Sequence, residues 1–310
     1  MKRKLLSLLL AFAVTLSVLP VGVLAEGENA GDVVSVGTAD DLKNALADSA
    51  DGNTAKIKLT ADIECSEILS VSRNAEIDFA GRTLTLADDD KLYVKVGSGV
   101  TLTIRDTSAT SGTITSKSKF ATFVAMRGST LNVENVTIEN KLTTGGGGYG
   151  VMLNPSPADT SKLQTNVNLK NLSINAGAGG VYAHGNIQET DTGKYPVVNL
   201  ENVTIVATAD EGAGLYLAGM TKTTVTDCEI TATQGLGIGI KAGTLTIKGT
   251  SKVCGAGAFH DPSANGNGIN SDGSALLVEN HSGYAGNIQI SIEGSAELTS
   301  ENGYAVHEFT

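Results

Sequence analysis

The chain has 310 residues, with 37 Gly, six Phe and no Trp. That balance suits many short strands joined by tight turns better than one compact aromatic core. Its 33 acidic residues outweigh 22 basic ones, for a net charge of −11, and a surface of that sign repels nucleic acid, which is excluded as a partner.

Residues 1–25 have the layout of a secretory signal peptide: a positive start at Lys2, Arg3 and Lys4, an apolar run from Leu5 to Leu19, and small residues at Val23 and Ala25 ahead of Glu26. The run is short for a membrane span, which needs about 20 residues, and no later segment is apolar enough to cross a bilayer. Cleavage removes three basic residues and no acid, leaving 19 basic against 33 acidic residues, a net charge of −14. The product is expected outside the cell.

Residues 26–52 form an N-terminal segment with a capping helix. The stretch TADDLKNALAD (38–48) offers Thr38 as N-cap, Asp41 three residues later, and Leu42, Ala45 and Leu46 as one apolar stripe. Such a helix would close the first end of a repeat protein's core, which otherwise exposes apolar surface and strand edges.

Residues 53–310 are read as a solenoid of stacked strands. The segments IDFAGRTL (77–84), LNVENVTI (131–138), VNLKNLSI (167–174), VNLENVTI (198–205) and TTVTDCEI (223–230) are copies of one unit. Their last apolar residues set a register: Leu84, Ile114, Ile138, Ile174, Ile205, Ile230 and Val253, at intervals of 30, 24, 36, 31, 25 and 23 residues. The long intervals carry their excess in inserts at 141–148, 155–163 and 186–196, as a solenoid with loop insertions predicts. Three residues before each mark stand Gly81, Ser111, Asn135, Asn171, Asn202, Asp227 and Thr250, where the chain must bend. Asn and Asp tolerate the left-handed conformation, so Asn135, Asn171, Asn202 and Asp227 are expected to form a structural turn ladder. Three of them sit in N-x-[ST] sequons, which the ladder explains without glycosylation.

A second strand follows each unit: YGVMLN (149–154), GGVYAH (179–184), GAGLYLAG (212–219) and GLGIGIKAG (235–243). Alternation puts Val151/Leu153, Val181/Ala183, Leu215/Leu217 and Ile238/Ile240 on a core face. Their alternates face outward: Met152 and Asn154, Tyr182 and His184, Tyr216 and Ala218, Gly239 and Lys241. Tyr182 and Tyr216 should then stand exposed and stacked on adjacent coils, with Tyr149 and Tyr195 at the edges. Exposed aromatics beside polar groups suit sugar rings. The competing reading is cross-strand Tyr packing beneath the inserts. The candidate ligand-binding residues are therefore Met152, Asn154, Tyr182, His184, Tyr216 and Lys241.

After Val253 the register blurs until IQISIEGSAEL (288–298). The chain stops inside what reads as another inner strand with no matching cap, so the rod is expected to be incomplete at its C-terminus.

The signal, the capping helix, IKLTADI (57–63), IDFAGRTLTL (77–86) and the asparagine-bearing coils resemble the right-handed parallel β-helix domains of the pectate-lyase-like superfamily. More narrowly they resemble the adhesin-like β-helix modules of large secreted proteins of clostridial Gram-positive bacteria. The resemblance spans roughly residues 33–310 and implies an all-β, right-handed parallel β-helix. It also says what enzymes of the superfamily need: acidic Ca²⁺ ligands with an Arg or Lys base, or clustered Asp carboxylates. Asp88, Asp89 and Asp90 form an acidic run, but in a turn. Asn270-Ser271-Asp272-Gly273 lacks a second Asp pair. Arg82, Arg105 and Arg127 are scattered, and His184, His260, His281 and His307 show no metal spacing. Cys65, Cys228 and Cys254 are too few for a disulfide framework and read as buried small side chains.

No catalytic residue, metal ligand or cofactor is assigned, Ca²⁺ being only what the resemblance would allow. The function these features support is a non-catalytic, extracellular, adhesin-like module contacting a polysaccharide or cell-surface glycan. A polysaccharide lyase or glycoside hydrolase of the same fold, and a purely structural spacer, remain as alternatives. The sequence carries no signal for an oligomeric state.

Overall fold

A computed structural model describes residues 32–47, 52–143, 147–154, 164–185, 189–261, 268–284 and 286–309. The signal segment, the insert at 155–163 and parts of the other two inserts (144–146 and 186–188) lie outside the described residues. From Asp32 onward the chain forms one unit, built almost wholly of short parallel strands.

The chain opens with β1 (Val34–Val36), the helix α1 (Ala39–Leu46), β2 (Ala55–Leu59), β3 (Ile63–Cys65) and β4 (Leu69–Val71). Then come β5 (Ala75–Asp78), β6 (Thr83–Leu86), β7 (Val94–Val96), β8 (Thr101–Arg105), β9 (Gly112–Ser116) and β10 (Ala121–Met126). The middle holds β11 (Thr130–Glu134), β12 (Val136–Asn140), β13 (Tyr149–Asn154), β14 (Asn166–Ala176), β15 (Gly179–Ala183), β16 (Val197–Ala207) and β17 (Ala213–Leu217). The last part holds β18 (Lys222–Thr226), β19 (Glu229–Ala232), β20 (Leu236–Ile240), β21 (Thr244–Lys248), β22 (Lys252–Gly255), β23 (Leu276–Glu279), β24 (Gln289–Ile292), β25 (Glu297–Ser300) and β26 (Val306–Phe309).

These strands make a 17-stranded sheet and a 9-stranded sheet. The larger sheet is two ladders fused where β14 and β16 run through both. The smaller joins β4, β7, β10, β13, β15, β17, β20, β23 and β26. Each strand pairs in parallel with its counterpart one repeat later, a solenoid-like all-β arrangement with coils about 4.8 Å apart.

Register is strict because one apolar residue per strand repeats at the same depth. The predicted marks stack without a slip, Leu84, Ile114, Ile138, Ile174, Ile205, Ile230 and Val253, and the structure extends the column to Ile63 before them and Leu298 after them. A second column runs Ile57, Ile77, Ile104, Val133, Leu169, Leu200, Val225, Ile247, Ile292. A third runs Leu69, Val94, Phe123, Val151, Val181, Leu215, Ile238, Leu276, Val306. Most of these residues are buried in one continuous core, where β-branched side chains suit a pleated, close-packed surface. Gly150, Gly180, Gly214 and Gly237 are where the ladders meet: a side chain at any of them would run into Ile174, Ile205, Ile230 or Val253 respectively.

The bends differ from expectation in part. Gly81, Asn135, Asn171, Asn202 and Asp227 have positive φ, while Ser111 and Thr250 do not; Gly249 takes the left-handed place beside Thr250. Among the described residues the turn amides make one rung, Asn202 Nδ2 donating to Asn171 Oδ1 at 3.0 Å. Asp227 instead accepts from Thr250 N at 2.8 Å. A second amide ladder stands within the strands: Asn199 donates to Asn168, and Asn168 to Asn132, each at 2.9 Å. Asn132 continues it to Thr103 Oγ1 at 3.0 Å.

The helix caps the first end as expected. Asp41 N donates to Thr38 Oγ1 at 3.2 Å, the Thr38 hydroxyl donates to Asp41 Oδ2 at 2.7 Å, and Leu42 and Leu46 are fully buried. Thr38→Ala removes this N-cap and is expected to cost about 1 kcal/mol, read as a lower denaturant midpoint with an unchanged m-value. At the other end Leu276, Val278, Ile288, Ile290, Ile292, Val306 and Glu308 line an open mouth of about 470 Å³. Phe309 sits opposite Glu279 and packs on the outer face of the smaller sheet.

Cys65 and Cys228 are buried thiols and Cys254 is half-buried. Asp88 and Asp90, from the acidic run, face Lys117 at 2.6 Å and Lys119 at 3.7 Å. No helix among the described residues is long and apolar enough to cross a membrane.

Candidate functional site

The inner faces of β13, β15, β17 and β20 are as expected: Val151, Leu153, Val181, Ala183, Leu215, Leu217, Ile238 and Ile240 are all buried. Their outward alternates form one column in register, Met152, Tyr182, Tyr216, Gly239, Leu277 and His307. The predicted stack is present. The Tyr182 and Tyr216 rings lie 5.0 Å apart and 20° from parallel, and Tyr149 joins at 5.2 Å from Tyr182. His184 meets the Tyr182 ring edge-on at 5.7 Å. Tyr195 is elsewhere, buried with Met220 and Ala242.

The predicted exposure is not present for Tyr216 and Lys241, which are 4 % and 3 % exposed. They face away from the core but lie under residues 268–284. The Tyr216 hydroxyl donates to the Gly268 carbonyl at 2.6 Å, and Ile269 packs on the aromatic cluster. Lys241 Nζ lies 3.2 Å from Glu279 Oε1 and 5.7 Å from the centre of the Tyr216 ring. Asn270 Nδ2 donates to Glu279 Oε2 at 3.3 Å. Gly239 leaves room beside Tyr216 where a side chain would otherwise stand. Tyr216 packs on Tyr182 across strands, but the residues over it are 268–284 and not one of the three inserts. Tyr182, His184 and Met152 remain half-buried. Asn154 ends β13, and its side chain lies outside the described residues.

Beside the stack is a cleft of about 400 Å³. Tyr149, Ala178, Tyr182, Gly212, Tyr216, Gly268 and Ile269 line it. Asp210 and Glu211 stand exposed at its rim. Glu211 is held at φ 56°, in the left-handed region where few side chains sit, and its N–H donates to Gln234 O at 3.1 Å.

Burial sets the electrostatics. It pushes the Tyr149, Tyr182 and Tyr216 phenols above their ordinary range, neighbouring groups adding to the effect at Tyr149 and Tyr216. Half-buried Tyr284 is pushed up to about 12, chiefly by desolvation, with Tyr182 and Glu279 adding to it. His184 is lowered by burial. Lys241 is lowered by burial although Glu279 pulls the other way. The phenols therefore stay neutral at physiological pH, as hydroxyl partners rather than bases. The cleft combines aromatic surface, phenolic hydroxyls and two solvated carboxylates. Among the described residues no group of three or more His, Cys, Asp or Glu side chains is placed to hold a metal ion.

Sequence alternation located the column and the stack. It missed Glu279, Asn270, Asp210 and Glu211, since nothing local in the sequence says which distant segment lies over an outer face. The turn residues Asn135, Asn171, Asn202 and Asp227 lie on the larger sheet and serve the fold. Comparison with protein-family models, with curated proteins and with solved structures finds no match to this chain.

Proposed function

We propose that the chain is an exported, right-handed parallel β-helix module that binds a glycan without transforming it, in the manner of an adhesin-like surface protein. Its ligand lies in the cleft beside Tyr149, Tyr182 and Tyr216. The observation that supports this reading is the half-open tyrosine stack with Asp210 and Glu211 on its rim. The C–H face of a pyranose packs on aromatic rings while its hydroxyls reach phenols and carboxylates. The parallel repeat favours such a role, because a stiff stack carries a side-chain column at a spacing set by the backbone.

The test uses Tyr182, which is half-buried and bonds the sheet less tightly than Tyr216. In affinity gels containing soluble glucans, xylans, mannans or pectins, the wild-type chain is retarded by at least one polymer. Tyr182→Ala is expected to weaken that retardation about tenfold, roughly 1.4 kcal/mol. Equal retardation of the variant removes the cleft from the account. Release of unsaturated or reducing sugars from the same polymers would replace the binding reading with a lyase or hydrolase.

A further inference from the structure

The outer column that carries Met152, Tyr182 and Tyr216 runs on to His307, and there the structure brings together residues 35 positions apart. His307 Nδ1 lies 2.5 Å from Asp272 Oδ2. Asp272 is fully buried and also accepts from Ser274 N and from Ser274 Oγ, each at 2.9 Å. Ser274 Oγ in turn accepts from Tyr304 N at 3.1 Å, and Ser300 Oγ donates to the Gly273 carbonyl at 2.8 Å. The turns ahead of β23 and β26 are thereby locked to each other, and the carboxylate is fixed before any ligand arrives. With Nδ1 engaged, the ring presents Nε2 on the side away from Asp272.

Around this imidazole stand three aromatic rings: Tyr304 at 4.9 Å, Phe309 at 6.3 Å and Phe259 at 6.5 Å between centroids. Phe259 and Tyr304 contact each other edge-to-face at 5.5 Å, yet they are 41 % and 51 % exposed. The turn cap at Ser274 accounts for Asp272. It does not account for an oriented imidazole beside two exposed aromatic rings.

We propose that His307, with Phe259 and Tyr304, forms a second carbohydrate-contact site, separate from the tyrosine cleft, that takes a neutral sugar ring. The rings offer a surface for the C–H face of a pyranose. Nε2 offers one directed hydrogen bond. A sugar hydroxyl both donates and accepts, so it matches Nε2 whether or not that nitrogen carries a proton. A carboxylate or ammonium ligand would match one state alone. Asp272 is a positioning residue, acting through His307.

The test follows the imidazole itself. Full-length protein labelled with ¹⁵N-histidine is titrated with cellotetraose, xylotetraose, mannotetraose and chitotetraose. The His307 Nε2 resonance is expected to shift saturably with at least one sugar. Tyr304→Ala, at an exposed position, weakens that response about tenfold, roughly 1.4 kcal/mol; Phe259→Ala serves if that variant does not fold. Tyr182→Ala leaves the His307 response unchanged, so loss of cleft binding and loss of this site are read separately. No shift with any of the four sugars overturns the proposal, as does an undiminished shift in the aromatic variant.

Discussion

Stability is expected to fall steeply as pH rises above 10, by up to about 1.4 kcal/mol per pH unit for each phenol that stays protonated in the fold. The cause is the full or partial burial of four phenols. Tyr149, Tyr182, Tyr216 and Tyr284 all titrate above their ordinary value of 10.0 in the folded chain, chiefly because burial disfavours the phenolate. In the unfolded chain the same tyrosines lose their protons near 10. Above that pH the folded state therefore holds more protons than the unfolded one, and its stability falls as pH rises. The contribution is fully present below pH 10; for Tyr284 it is lost as pH passes its folded value of about 12. Each phenol that burial keeps protonated contributes at most about 1.4 kcal/mol per unit, against a domain's usual stability of about 5–15 kcal/mol. Lys241 opposes this with one proton. Burial lowers its folded value, so between that value and 10.5 its titration makes stability rise with pH. Urea melts at stepped pH, with phenolate absorbance followed in parallel, check the sign and the slope. Phenolate should appear together with loss of β structure, and Tyr284→Phe should flatten the slope by about 1.4 kcal/mol per unit. Full ionisation near pH 10 with the strands intact would contradict the burial of these rings.

The largest single-residue effect is expected at Glu279. Its carboxylate and the Lys241 ammonium are each almost wholly removed from solvent, 3.2 Å apart. Glu279→Ala leaves the ammonium buried without that partner and takes the acceptor from Asn270. A cost of about 3–5 kcal/mol follows, since an uncompensated buried charge is far worse than a missing contact. The pair joined with its removal is a different matter. Lys241→Met combined with Glu279→Leu is expected to recover most of the loss, because two apolar side chains need no desolvation of charge. Chemical denaturation of the single and double variants measures both. A Glu279→Ala variant within 1 kcal/mol of wild type (on the scale of a surface pair) would mean that solvent reaches Lys241.

The solenoid core was legible because it depends on local alternation repeated many times. Ile114, Ile138 and Ile174 could be aligned by eye, and they are hydrogen-bonded neighbours in the sheet. The amide ladder of Asn132, Asn168 and Asn199 sits one position after the first apolar residue of the same units and was equally visible. What faces outward was legible only as direction. Tyr216 points away from the core as alternation requires, yet it is covered by a segment that begins 52 residues later. The Asp272–His307 pair spans 35 residues and crosses from a turn to a strand. No periodicity records such contacts, because they depend on how a long connection folds back over a finished sheet.

The three stacked columns also determine how such a chain can change length. Removing one interval, such as the 25 residues between Ile205 and Ile230, would bring Ile205 opposite Val253 with every inward residue still inward. Inserting a single residue inside β16 would instead turn every side chain downstream in that strand to the opposite face. Whole coils and loop-borne insertions are therefore the steps in which this architecture can gain or lose sequence, and a ligand-bearing column on its outer face would lengthen or shorten by one side chain at a time.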